Sequence, residues 1–400
     1  MKIKLVDLIV YLIYFYLPID TLNGVLIRNM EFSVSPYYKS LILSLILIYL
    51  TRKKILYPLK WSIFFLIFFI FHYFLGTFSS IEFFWGLKFL AIVFSFYFFK
   101  DLFLNKRLEI IIKLAFISFW LIAINILIGL SGFGFSQYAH NEIGTRGLFY
   151  AGNELGILLL ITSIILLSNF LIKKDIKKFL LFSLIFMFFG AMLTSKTAVL
   201  GQVLVVFSLP IINLNNTRKG LVLTKSSLKL MSFGFFVVFL GLPYLIYFVL
   251  FKMNLIARLS YWMGKVDKLT LFFSGRNLLA EDVYKYLKTH NTFFNNLIGY
   301  GYDNLMVAAG RSVEIDFVDL FMLFGLIGII GMYGFFVEQL RKGSYLKSKN
   351  NVIKPYITFG IYLLLALSCL SGHVLNSGMA GMVIGAFLAL QYYKSSETYE

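Results

Sequence analysis

The sequence predicts an all-α polytopic membrane protein with about 12 transmembrane helices and one large extracytoplasmic loop containing short amphipathic helices. Three observations predict it. First, the 400 residues are 60% hydrophobic and 19% aromatic, only 14% are charged, and the mean hydropathy is +0.83. A water-soluble domain cannot cover that much apolar surface. Second, the apolar runs are continuous rather than alternating, as in Trp61-Ser-Ile-Phe-Phe-Leu-Ile-Phe-Phe-Ile-Phe71. Backbone groups in lipid have no water to bond, so a spanning segment is a helix or part of a closed barrel, and continuous runs belong to helices. Third, basic residues recur in every second loop.

Taken in order, spans are expected near residues 5–27, 37–50, 59–79, 82–104, 108–130, 148–172, 179–195, 198–214, 230–251, 316–339, 356–372 and 374–393. Met1-Lys-Ile-Lys4 leads into the first span without a small-residue cleavage site, so that span reads as a retained helix and not a signal peptide. Alternate loops hold Arg52, Lys53, Lys54 and Lys60; Lys100, Lys106 and Arg107; Lys173, Lys174, Lys177 and Lys178; Arg218, Lys219, Lys225 and Lys229; Arg341, Lys342, Lys347, Lys349 and Lys354. This is the positive-inside pattern, and it puts both termini in the cytoplasm of a plasma-membrane protein. The net charge of +18 follows from those loops and does not indicate nucleic acid. The single cysteine, Cys369, excludes a disulfide within the chain.

The chain divides into residues 1–251 (helices 1–9), 252–315 (the large loop) and 316–400 (helices 10–12 and a short cytoplasmic tail). A polar stretch of about 60 residues is too long for an ordinary connector. Within it, Leu279, Val283, Tyr286 and Leu287 follow helical spacing, and Asn277 is the expected N-cap. Gly299-Tyr-Gly301 reads as a tight turn. The outer side also holds the Ser131–Gly147 loop, the Thr194-Ser-Lys-Thr197 turn and the Ser371-Gly-His373 turn.

Ionisable residues at outer helix ends carry the functional signal, because a charge in the hydrocarbon layer is costly unless paired or hydrated. Arg146, Lys196, Arg276 and Arg311 suit a phosphate or diphosphate, which arginine binds in bidentate fashion. Glu314 and Asp316 suit a general base acting on a hydroxyl, with His140 as the alternative. Lys88 and Glu82 read as structural. No metal-ligand spacing, Walker loop or nucleophile elbow is present, so no metal and no cofactor is expected. A lipid-linked diphosphate sugar presents both chemistries at this depth.

Four stretches resemble the O-antigen ligase and polymerase family, especially Wzy-type polysaccharide polymerases. They are Gly144-Thr-Arg146-Gly-Leu-Phe-Tyr-Ala-Gly-Asn153-Glu-Leu-Gly156, Leu193-Thr-Ser-Lys196-Thr197, Ser274-Gly-Arg276 with Ile298-Gly-Tyr-Gly301, and Glu314-Ile-Asp316-Phe-Val-Asp319 with Phe324-Gly-Leu-Ile-Gly328. The resemblance implies a GT-C-like, metal-independent glycosyltransferase. It would join oligosaccharide repeat units carried on undecaprenyl diphosphate at the outer face of the plasma membrane, for an O-antigen, capsule or exopolysaccharide. It also implies a chain-length regulator and a flippase as partners, besides membrane lipids. By position, Arg146, Arg276 and Arg311 would hold the diphosphate, Lys196 would assist, and Glu314 or Asp316 would act on the acceptor hydroxyl. Two departures stand out: Lys196 replaces the family's usual Arg, and Glu314-Ile-Asp316 stands where ligases carry a His motif. The alternatives are a ligase-type transferase and a lipid-oligosaccharide flippase.

Overall fold

The computed structural model describes residues 4–138, 143–216, 273–345 and 352–393, together with residues 232, 267 and 270. The chain is mostly helical. Eight helices come first: α1 Leu5–Met30, α2 Ser35–Arg52, α3 Tyr57–Phe74, α4 Ser80–Leu104, α5 Glu109–Leu130, α6 Gly152–Ile172, α7 Ile176–Leu193 and α8 Lys196–Asn216. Three short helices follow, α9 Arg276–His290, α10 Phe293–Ile298 and α11 Tyr302–Ala309. The chain closes with α12 Asp316–Tyr345, α13 Lys354–Ser371 and α14 Gly381–Ala389, which runs into a 3-10 turn at Leu390–Tyr392.

Among the described residues, six helices are long and apolar enough to cross a membrane: α1, α3, α5, α6, α7 and α12. Their exposed faces fit that reading. On α3, Phe65, Phe68 and His72 are buried while Ile63, Leu66, Ile67 and Ile70 are exposed. Such a stripe of large aliphatic groups is stable against lipid, not against water. The polar loops were the informative boundaries, since most helices begin and end within a few residues of the expected spans. Apart from residue 232, the expected span near 230–251 lies outside the described residues.

α6 is the central helix. It is buried along almost its whole length and packs on α5, α7 and α8. α4 packs against α14, where Gly385 lets the backbones close to contact over Ile92 and Ser95. Phe65 and Phe68 of α3 pack on Phe324 of α12 at 5.5 and 5.9 Å between ring centroids.

Two features depart from the all-helical expectation. Phe135–Tyr138 and Ile143–Gly147 form a small antiparallel hairpin, β1 and β2, in the loop before α6. The last helix starts at Gly381, not near residue 374. Residues 373–379 instead form a turn, because the buried carboxylates of Asp316 and Glu154 take up its amides. Inside the large loop, α9 begins one residue before the expected cap. Gly275 occupies the N-cap in a left-handed conformation, and Asn277 donates instead to Thr270 Oγ1 at 2.7 Å.

Candidate functional site

The large loop is fastened to the helix ends by two buried devices. The first is a break in α12. Gly325 adopts φ 61° and ψ −164°, so the helical ladder is interrupted there and the Met322 carbonyl loses its ordinary partner four residues on. That carbonyl accepts the amides of Tyr300 and Gly301 instead, at 2.7 and 3.0 Å. Gly299 and Gly325 face each other's strands of backbone so closely that a Cβ on either would meet backbone atoms. The Gly299-Tyr-Gly301 turn therefore docks on the kink.

The second device is a buried pair. His72 Nδ1 lies 2.7 Å from Glu82 Oε2, and both side chains are fully buried. His72 Nε2 reaches the Ile298 carbonyl at 3.0 Å, and Glu82 also accepts the Tyr302 amide. The tautomer is thereby fixed: with Nε2–H donating to the carbonyl, Nδ1 either carries a second proton or meets a protonated carboxyl. Glu82 thus has a structural task. His72 lies within an aromatic run and gave no pattern of its own in the sequence; its only signal is a carboxylate ten residues on.

The chain leaves the loop through residues 310–316. Gly310 ends α11 in the left-handed conformation. Arg311 is exposed, with no hydrogen bond or ion pair among the described residues. The buried Asp319 carboxylate accepts the amides of Val313 and Glu314 at 2.8 and 3.0 Å. Glu314 itself sits at φ 62°, unusual for a residue with a Cβ. Its carbonyl lies 2.5 Å from where a Cβ on Gly372 would stand, so only glycine fits there. This packing aims the Glu314 side chain at α9 and α6. Arg276 Nη2 is 2.8 Å from Glu314 Oε2, and Asn153 Nδ2 is 3.3 Å from the same oxygen. Both partners remain partly exposed, 14% for Arg276 and 26% for Glu314, so a ligand can reach the pair.

Asp316 is different. It is 1% exposed and accepts the amides of His373, Val374 and Leu375 at 2.5, 2.9 and 2.9 Å. Its expected part as a base acting on a hydroxyl finds no room there, since its oxygens are occupied by backbone donors.

A second group of cations lies at the β hairpin. Arg146 of β2 is half-buried, and its guanidinium donates to the Tyr150 carbonyl. Its buried Nε has no partner among the described residues. The guanidiniums of Arg28 and Arg146 both face the Phe135 ring, at 4.7 and 5.6 Å from its centroid. Burial pulls the Arg146 guanidinium below its ordinary range; Tyr150 opposes that, and Arg28 adds to it. The two arginines line a cavity of about 730 Å³ with Gly129, Gly132, Gly134 and Gly144, and no carboxylate lines it among the described residues. Arg28 was not among the residues singled out by the sequence.

The Thr194 turn abuts this hairpin: a Cβ on Gly144 would meet the Thr194 side chain. Ser195 caps α8 by accepting the Ala198 amide at 3.2 Å, and Lys196 is the first residue of that helix. The β2 strand thus adjoins the 194–196 turn, and a Cβ on Gly156 of α6 would stand 3.2 Å from Ser195 Oγ, one turn along that helix from Asn153. Arg311 makes no hydrogen bond or ion pair with Arg276 or Glu314. His140 lies outside the described residues. Among the described residues no cluster of three His, Cys, Asp or Glu side chains could hold a metal ion.

No family model, no curated protein and no solved structure matches the chain. Its chemistry is read from its own residues.

Proposed function

We propose that this protein is a polysaccharide polymerase that joins undecaprenyl-diphosphate-linked oligosaccharide repeat units at the outer face of the plasma membrane. The observation that carries the reading is the Arg276–Glu314–Asn153 cluster, in which a reachable carboxylate is held by an arginine on the loop that covers the helix ends. In the ligand-free arrangement Arg276 occupies Glu314. An arriving diphosphate competes for that guanidinium, since phosphate accepts bidentate arginine contacts as well as a carboxylate does. Glu314 is then released toward the acceptor.

The transfer balances without a metal. The acceptor hydroxyl oxygen attacks the anomeric carbon of the donor sugar and passes its proton to Glu314. The bond from that carbon to the diphosphate oxygen breaks, and the lipid diphosphate leaves with the bonding pair. Arg276 and the exposed Arg311 stabilise the charge that develops on it. Arg146 and Arg28 at the hairpin supply further positive potential, and Lys196 is taken to assist.

The basic loops support a sidedness with α9–α11 and both arginine groups outside and the termini in the cytoplasm. About 12 spans and one extracytoplasmic loop complete the scheme. The test is the surface glycan of a deletion strain complemented with Arg276→Ala. Polymerase chemistry predicts single-repeat-unit product in that strain, and full-length polymer would refute it. Long lipid-linked chains that never reach their acceptor would indicate the ligase-type transferase. Units trapped inside would indicate a flippase.

A further inference from the structure

A half-open cavity of about 340 Å³ lies between α1, α2, α4 and α6, closed on one side by the turn at residues 378–379. It is lined by two carboxylates and two lysines, and three of these four have hydrogen-bond partners. Lys39 Nζ is 2.7 Å from both oxygens of the buried Asp20, which also accepts the Ser35 hydroxyl. Glu154 accepts the Ser377 hydroxyl at 2.9 Å and the Met379 amide at 2.5 Å.

Lys88 is the fourth. It lies eight residues into α4, about 12 Å along the helix from Ser80. Among the described residues it has no hydrogen bond and no carboxylate oxygen within 4.0 Å. Glu154 is near but does not touch it. A Cβ on Gly378 would stand 3.3 Å from Lys88 Cε and 3.7 Å from Glu154 Oε2, so the absent side chain leaves an open lane between the two. An ammonium group carries three donors, and those of Lys88 meet no acceptor at hydrogen-bond distance among the described residues, while its charge acts on Glu154 across the Gly378 gap. The remaining wall is largely apolar, with Leu43, Phe84, Leu87 and Ala91 prominent. An ammonium with free donors beside hydrocarbon is complementary to an amphiphile with an anionic head, and the volume suits a headgroup with its first methylenes.

We propose that this cavity holds one anionic membrane lipid, with its phosphate on Lys88 and its hydrocarbon along Phe84, Leu87 and Leu43. The site does not depend on the polymerase reading, because none of the residues assigned there to the diphosphate or to the acceptor lines it. Tyr150 and Ile27 line both this cavity and the one that carries Arg28 and Arg146, so an occupied lipid site borders the arginines.

The experiment uses the full chain in nanodiscs of phosphatidylcholine with a minor fraction of phosphatidylglycerol, transferred to mild detergent for native mass spectrometry. The wild-type chain should retain one phosphatidylglycerol. Lys88→Gln should lower that occupancy by about tenfold, equivalent to one lost charged contact. Lys88→Arg should retain it. Ala91→Trp, which fills the apolar wall and leaves Lys88 intact, should also expel the lipid, and it decides the matter if Lys88→Gln does not fold. Equal phosphatidylglycerol retention by Lys88→Gln or by Ala91→Trp overturns the proposal. So does equal retention of phosphatidylcholine. Displacement of the lipid by inorganic phosphate alone would make this a site for a free anion and would overturn the lipid assignment.

Discussion

Glu314 and Asp316 stand two residues apart and face opposite environments. Glu314 is partly exposed and turned toward Arg276 at 2.8 Å, whereas Asp316 is buried under three backbone amides of residues 373–375. One is free to exchange partners with a ligand; the other is part of the scaffold.

The first prediction separates them by activity. Glu314→Gln keeps the shape and the contact to Asn153 but removes the proton acceptor. Polymer formation should fall by about 10²–10⁴-fold if Glu314 is the base. The melting temperature should hardly move, since a partly exposed ion pair contributes only about 0.2–1 kcal/mol. An unchanged chain-length profile on gel analysis of the glycan would remove Glu314 from the mechanism.

Asp316→Asn should do the reverse. Asparagine offers one oxygen where the carboxylate offers two, and its NH2 group faces amides that also donate. Hydrogen bonds to a charged group are worth about 1.5–3 kcal/mol each, so the 373–375 turn loosens and the protein melts earlier. The expected readout is a lower melting temperature in detergent and a reduced yield. A variant as stable as wild type but without polymer would restore Asp316 to the chemistry.

These two carboxylates also show how much of the site was legible. In the sequence they are equivalent, both at the acidic exit of the loop, and spacing alone cannot tell a base from a cap. The difference is tertiary: Asp316 finds the 373–375 amides 57 to 59 residues away. The same fact hid the start of α14, because residues 374–380 are apolar enough to read as helix and are held as a turn by Asp316 and Glu154. His72 was invisible for a related reason, since its partners Glu82 and Ile298 lie on two other segments. Helix positions were legible because lipid demands continuous apolar runs and the polar loops punctuate them.

His72 yields the third prediction. His72→Phe leaves Glu82 buried with only the Tyr302 amide, and breaking a buried pair by removing one member costs about 3–5 kcal/mol. The 298–302 segment should detach from the α3–α4 turn. Limited proteolysis should then cut near Gly299–Gly301 in the variant and not in the wild type. Equal protection would show that the Met322 carbonyl holds the turn without His72.

Gly325→Ala tests that second fastening. The added Cβ would meet the Leu297 carbonyl and stand 2.5 Å from the Gly299 nitrogen, at a φ that L-residues avoid. If the kink straightened, Met322 would recover its helical partner and release Tyr300 and Gly301. The expected result is loss of polymer together with faster amide exchange at Tyr300 and Gly301. Wild-type exchange at those amides would mean the docking does not need the kink.

Sidedness underlies the catalytic reading, and one residue on α9 can report it. Thr289 is exposed and, among the described residues, its hydroxyl meets only Tyr286 and His290 of its own helix, so a cysteine there disturbs little. The free Cys369 is exposed on α13 and must first become serine. With Thr289→Cys in that background, an impermeant maleimide applied to intact cells should label the protein, and pre-blocking from outside should abolish labelling after lysis. The loop arginines would then face the compartment that holds the finished glycan. Labelling that appears only after the membrane is opened would place α9–α11 in the cytoplasm. The Arg276–Glu314 pair would then meet nucleotide-linked precursors rather than assembled repeat units, and the polymerase reading would fall with the topology.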